Sequence, residues 1–241
     1  MIKINDKQFP VSFSQSRQYS ECPRKYKLKY VDGIKEPSNS NLELGNAVHL
    51  LAEKQYWNNQ EELLQNIDIC NAVSTIINQR GQRYLEKLVT ELKEFFKDKI
   101  ILYSELELRD NNYTAKIDVA YNYANEPHKI YLADFKVTKK PKTTDSIFSE
   151  GQLLFYKERF LSKEYAENNT TIYVQYINIL SYMSETIVTT TEPLDVSEET
   201  CQNYRSQIID KNVELINKGE FPKKKKWCNW CFYKDICNTQ N

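Results

Sequence analysis

Three strand-like segments follow one another closely in the middle of the chain, at 100–108, 113–123 and 129–137, separated only by Asn111-Asn112 and by residues 125–127. They are rich in β-branched and aromatic residues, and Asn and Pro between them are turn formers. Connections this short bring neighbouring strands together, so the fold has to be organised around a sheet here. On both sides the hydrophobic period becomes helical. Ser14 and Ser16 are N-cap candidates for a helix running towards Tyr19, and a second helix is expected over 23–31. Residues 41–57 form a helix with Leu44, Val48 and Leu51 on one face, and 60–98 hold two more helices, the second long. After the strands come a helix over 146–161, strands over 171–180 and 185–191, a helix over 196–218, and a basic tail rich in Cys. No internal repeat or low-complexity linker interrupts the pattern.

The expectation is an α+β fold, a central mixed β-sheet flanked by helices, in one domain spanning 1–241. Within it, 1–98 is mainly helical, 99–195 is the sheet-based core, and 196–241 is a closing helix and tail. A chain of 241 residues with 40% hydrophobic and 12% aromatic side chains buries roughly 70–75% of its unfolded surface and needs no disulfides. With only 5 Gly, Gly-rich phosphate loops are excluded. No run approaches the ~20 apolar residues of a membrane span, and the first ten residues lack the apolar stretch of a signal peptide. A cytoplasmic location without membrane attachment is therefore expected, with the 6 Cys serving as metal ligands or buried thiols. Abundant Asn, Lys, Ile and Tyr point to an AT-rich source such as a bacterium, its phage or an archaeon.

The formal net charge is zero, yet the charges are segregated. Residues 1–35 hold eight Lys/Arg and three acids, 136–142 hold four Lys and no acid, and 218–226 hold five Lys and one acid. Residues 43–110 carry twelve acids and eight bases. Each basic run alone is an ordinary solvated face, but three of them resemble the footprint of a phosphate backbone.

The sharpest local feature is Asp134-Phe135-Lys136. Alternation along a strand points Ile130, Leu132, Asp134 and Lys136 to one face, and Tyr131, Ala133, Phe135 and Val137 to the other. An acid and a lysine therefore share an apolar face, where each needs the other or a metal. A hairpin with the preceding strand would set Asp118 beside Asp134, and two adjacent carboxylates repel unless a cation lies between them. These residues fit a metal site with Lys136 as general base or water-orienting amine; alone, they fit an ordinary inter-strand salt bridge better. Glu105 and Glu53 are further candidates to line the site.

Taken together, the motifs resemble the PD-(D/E)xK nuclease superfamily in its RecB-like branch, which includes AddB-type recombination nucleases and the CRISPR-associated adaptation nuclease. Ser12 to Tyr26, with its Cys22-Pro23 and basic-aromatic end, is similar to the N-terminal segment of that branch. Gly45-Asn46-Ala47-Val48-His49 resembles its Gly-x-x-x-His helix, Ile117-Asp118 its second motif, and Asp134-Phe135-Lys136 its third, with Asp replacing the commoner Glu. Gln152-Leu153-Leu154-Phe155-Tyr156 is similar to its Gln-x-x-x-Tyr helix. The resemblance implies a restriction-endonuclease-like fold and a DNA nuclease, with exonucleolytic action on single-stranded ends in recombination, repair or CRISPR adaptation. It implies that His49, Asp118, Asp134 and the Phe135 carbonyl ligate Mg²⁺ or Mn²⁺, that Lys136 serves the attacking water, and that Gln152 and Tyr156 contact DNA or support the site. Gly45 would let the helix approach the sheet closely. A helicase or integrase is a conceivable partner.

The Cys residues carry a second signal. Cys228, Cys231 and Cys237 crowd the tail, and Cys22 stands 206 positions before Cys228. Four thiolates can hold Zn²⁺ or an iron–sulfur cluster. The one-plus-three layout resembles the RecB-like iron–sulfur nucleases, which implies a [4Fe–4S] cluster shielded by Trp227, Trp230 and Phe232, with zinc as the alternative. Cys70 and Cys201 lie outside the pattern and are expected to be buried thiols.

Overall fold

The computed structural model describes residues 10–37, 40–55, 58, 66, 81–163, 165–166, 169–224 and 228–239. The first helix expected within 60–98, together with Cys70, Lys225, Lys226 and Trp227, lies outside the described residues. In chain order the elements are β1 (Val11–Ser12), α1 (Phe13–Glu21), α2 (Pro23–Tyr26, continuing as a π-helical turn over Lys27–Val31), α3 (Ser40–Glu53), α4 (Gly81–Phe96), β2 (Lys99–Arg109), β3 (Tyr113–Tyr123), β4 (Glu126–Thr138), α5 (Thr144–Glu150), α6 (Gln152–Leu161), β5 (Thr171–Leu180), β6 (Val188–Thr190), β7 (Leu194–Asp195), α7 (Glu198–Tyr204, continuing as a π-helical stretch over Arg205–Asp210), α8 (Lys211–Asn217) and α9 (Lys234–Thr239). They divide into two compact units, one of Ser38–Leu108 with Lys116–Cys201, the other of Met1–Pro37, Arg109–Ala115 and Gln202–Asn241.

The first unit holds most of a mixed sheet. β4 runs antiparallel to β3 and parallel to β5, β6 and β7 run antiparallel to β5, and β2 pairs with β3. Parallel neighbours need a crossover, and α5 and α6 supply it between β4 and β5. The fold class expected from the sequence is the one found. One apolar layer joins Leu44, Val48 and Leu51 of α3 and Tyr84, Leu88 and Leu92 of α4 to Val119, Tyr121, Ala133, Phe135, Ile177 and Ile179 of the strands. Burial of each such aliphatic side chain contributes about 1.5–3 kcal/mol, so packing fixes α3 more firmly than helix propensity does.

Helix α6 packs against β4 and β5, and Leu153 through Phe160 are all buried, including Lys157, Glu158 and Arg159. Charges so deep require partners. Lys157 Nζ donates to the Ile172 carbonyl at 2.6 Å and to Asp195 at 2.8 Å. The Arg159 guanidinium donates twice to the Glu158 carboxylate, at 2.5 and 2.7 Å.

The other unit gathers residues distant in sequence. β1 lies parallel to the first residues of β3. Asn212 of α8 donates to Ser16 and Ser20 of α1, and Tyr19, Tyr26 and Phe221 pack ring to ring. The Tyr233 hydroxyl donates to the Ile34 carbonyl at 2.8 Å. Among the described residues, no helix is long and apolar enough to cross a membrane.

Four local expectations need correction. The N-cap of α1 is Ser12, not Ser14 or Ser16, because Gln15 closes a reciprocal capping box with it. The helix expected over 146–161 is two helices, broken at Gly151, whose left-handed φ of 75° ends α5. The strand expected over 185–191 is confined to Val188–Thr190. Gly45 is not needed for close approach, since a Cβ there would meet nothing within 4 Å among the described residues. Chemical denaturation should therefore separate two substitutions. Gly151→Ala should cost about 1–2 kcal/mol through left-handed strain, whereas Gly45→Ala should stabilise by about 0.5–1 kcal/mol.

Candidate active site

The β3–β4 pairing determines what faces what. Val119 pairs with Ala133, and one step further along the same register sets Asp118 opposite Asp134. Both are buried, at 4% and 1% exposure. Asp118 Oδ2 accepts the Phe135 amide at 2.7 Å, which pins its carboxylate across the strand gap. Lys136 Nζ lies 2.6 Å from Asp134 Oδ2 and over the Tyr176 ring. Gln152, the first residue of α6, closes the group. Its Oε1 accepts from Lys136 Nζ at 2.8 Å, and its Nε2 donates to Asp134 Oδ1 at 2.9 Å and to the Tyr156 hydroxyl at 2.7 Å. An ammonium requires an acceptor and a carboxylate a donor, so only this orientation of the amide satisfies both. Gln152 and Tyr156 meet because i and i+4 share a helix face.

His49 reaches the carboxylates from α3. Its Nδ1 lies 3.1 Å from Glu105 Oε1 and 3.5 Å from Asp118 Oδ1, so this nitrogen carries its proton towards them. The Glu105 side chain is 7% exposed and paired through its other oxygen with Lys116. It sits within β2 at φ 52°, a left-handed conformation that costs a non-glycine residue about 1–2 kcal/mol. Glu105 thus joins the cluster. Glu53 pairs instead with its neighbour Lys54 on a largely exposed side chain. Nothing in the β2 sequence marks the left-handed residue, so the sequence offered Glu105 only as an acid on a strand.

The electrostatics follow from burial and from like charges. Burial, then the charge of Asp134, pushes the Asp118 carboxyl up to about 8, against the pull of His49 and the Phe135 amide. For His49, burial favours the neutral ring but is outweighed by the Glu105 hydrogen bond and the charges of Asp118, Glu105 and Asp134, so its pKa rises. Burial and the two aspartates raise Tyr156 well above the usual phenol range, which keeps its hydroxyl neutral.

The donors present suit a divalent cation. Ligand atoms of His49, Glu105 and Asp118 lie within 4.8 Å of one another. The buried Asp134 Oδ2 accepts no aligned hydrogen bond, although the Lys136 charge is beside it. Carboxylates suit Mg²⁺, and an added imidazole favours Mn²⁺.

Cys22, Cys228, Cys231 and Cys237 all belong to the unit that joins 1–37 to 202–241. Among the described residues they form no set of three sulfurs within 4.8 Å of one another. Phe232 is half exposed and Tyr233 is the buried ring, because the Tyr233 hydroxyl is anchored inward; Phe232 is thus a poor shield. Cys201 is buried, as expected. Of the lysines after Lys136, Lys139 and Lys140 are exposed, while Lys142 pairs with Glu150.

In EDTA, the folded protein retains protons on Asp118 and His49 that the unfolded chain releases at lower pH. Stability should therefore fall as pH rises from 6 to 8, measured as a decreasing Tm. Asp118→Asn should flatten that slope and raise the Tm at pH 8; an unchanged slope would contradict the electrostatic account.

The model of the PD-(D/E)XK nuclease superfamily matches residues 10–238. No curated protein sequence matches the chain. Among solved structures, a Eubacterium rectale protein whose exonuclease designation is provisional aligns at TM-score 0.59 and 13% identity, over 96% of this chain and 88% of that one. A second structure, of SSO0001, aligns at TM-score 0.33 and 14% identity over 92% and 97% of the two chains, too loosely to bear on the fold. The family match runs through every segment that contributes to the carboxylate cluster, and the chain belongs to the PD-(D/E)XK nuclease superfamily.

Proposed function

We propose that this nuclease is a metal-dependent deoxyribonuclease of the RecB-like branch that degrades DNA from single-stranded ends, with 1–241 acting as one nuclease domain. The observation that carries the reading is the closed group Asp134–Lys136–Gln152 facing Asp118, with His49 at its open side. Nucleases of this superfamily use divalent metals. Here Asp118, Asp134, His49 and the Phe135 carbonyl would hold Mg²⁺ or Mn²⁺, which supplies Lewis acidity and lowers the pKa of a bound water. Lys136, held by Gln152, orients the attacking water and stabilises charge developing on the phosphate. Tyr156, kept neutral, holds Gln152 in place or contacts the strand. The exposed Lys139 and Lys140 and the basic N-terminal and tail segments supply backbone contacts, so binding should weaken with salt. The provisional designation of the Eubacterium rectale neighbour agrees with an exonuclease, with recombination, repair or CRISPR adaptation as its setting and a helicase or integrase as possible company.

We further infer that Cys22, Cys228, Cys231 and Cys237 hold a [4Fe–4S] cluster that ties the two ends of the chain together. Support comes from their membership of one unit and from the layout of one Cys near the first helix and three in the tail.

Two experiments test these readings. On end-labelled single-stranded DNA with Mn²⁺ or Mg²⁺, Lys136→Ala should fold, keep its cluster and lose about 10²–10⁴-fold in cleavage rate; undiminished cleavage refutes its role. Binding without turnover by the unaltered protein would mark it as a non-cleaving assembly subunit. Anaerobically purified protein should be coloured and contain iron, and Cys231→Ser should lose colour and thermal stability together. A colourless preparation containing zinc would replace the cluster with a zinc staple, and a stable, colourless Cys231→Ser protein would end the staple idea.

A further inference from the structure

The geometry points to Glu105 as a direct ligand of the divalent ion, completing a His49–Glu105–Asp118 set; this rests on the reading that the ion binds in this cluster. Octahedral Mg²⁺ or Mn²⁺ with ligands at about 2.1 Å places adjacent ligand atoms about 3 Å apart. His49 Nδ1 lies 3.1 Å from Glu105 Oε1 and 3.5 Å from Asp118 Oδ1; once the ion displaces the Nδ1 proton, these two separations match edges of one coordination polyhedron. The side chains of Glu105 and Asp118 are only 7% and 5% exposed, leaving water little room to replace either. One ligand atom from each of His49, Glu105 and Asp118 lies within 4.8 Å of the other two.

Two features set Glu105 apart from an acid that merely happens to be near. Its backbone is left-handed in the middle of a strand, a conformation kept only where the surroundings impose it. Lys116 pairs with its outer oxygen, Oε2, so Oε1 is the oxygen presented to His49. The strand thus spends local strain to aim one carboxylate oxygen at the imidazole. A His with two or three carboxylates favours Mn²⁺ over Mg²⁺ more than two aspartates alone would.

The test is Mn²⁺ titration by calorimetry on the full chain, with circular dichroism and Tm measured in EDTA. The unaltered protein should bind Mn²⁺, and Glu105→Gln should bind at least about tenfold more weakly. Gln keeps an oxygen able to accept from Nδ1 but loses the charge, so unchanged affinity would reduce Glu105 to a partner of His49 and overturn the ligand assignment. Glu105→Gly, which suits a left-handed backbone, should melt no lower in EDTA yet bind Mn²⁺ more weakly. A fall in melting temperature with affinity retained would make the residue structural and overturn the inference. Absence of Mn²⁺ binding by the unaltered protein would overturn this assignment together with the metal-dependent reading on which it stands.

Discussion

Two carboxylates opposed across adjacent strands, out of reach of solvent, are the constraint around which the catalytic unit is arranged. Left alone, two such carboxylates would repel when both are ionised. The chain answers with a main-chain amide for one, an ammonium and a side-chain amide for the other, and an imidazole at the open side. The amide and the ammonium come from β4, the side-chain amide from α6 and the imidazole from α3, so the cluster exists only when β3, β4, α3 and α6 are all in place. The same repulsion that makes the site costly to fold would be relieved by a small, doubly charged ion.

Much of this was legible in the sequence. The strand block, the face shared by Asp134 and Lys136, and the i, i+4 pair on α6 follow from periods of two and 3.6, which depend on residue order alone. Leu44, Val48 and Leu51 were visible as one face of α3 because packing respects that period. What escaped depends on backbone states that residue type does not announce. Gly151 could have continued the helix, and its left-handed turn is settled by how α5 and α6 meet the sheet. Glu105 was legible as a candidate to line the site, but the left-handed backbone that holds it there is one its own chemistry disfavours and no propensity announces. The cap at Ser12 rather than Ser14 was within reach, since Gln15 stands three residues on, as a capping box requires.

The Cys residues show the other boundary of sequence reasoning. Their spacing resembles that of a four-thiolate set, yet spacing alone does not choose between cluster and zinc. Aromatic neighbours were weaker guides still: Phe232 and Tyr233 are adjacent, and only the hydroxyl decides which ring turns inward.

Helix α6 also acts as an index pin. Its buried Lys157 reaches the Ile172 carbonyl and Asp195 in one rotational setting only, and one residue of slippage turns the helix by about 100°. Gln152 and Tyr156 share that shaft, so their phase relative to the carboxylates is fixed by a buried ammonium outside their own group. Length variation in this protein should therefore accumulate after Ser162, beyond the pin, and the segment from Gln152 to Arg159 should change only by replacement.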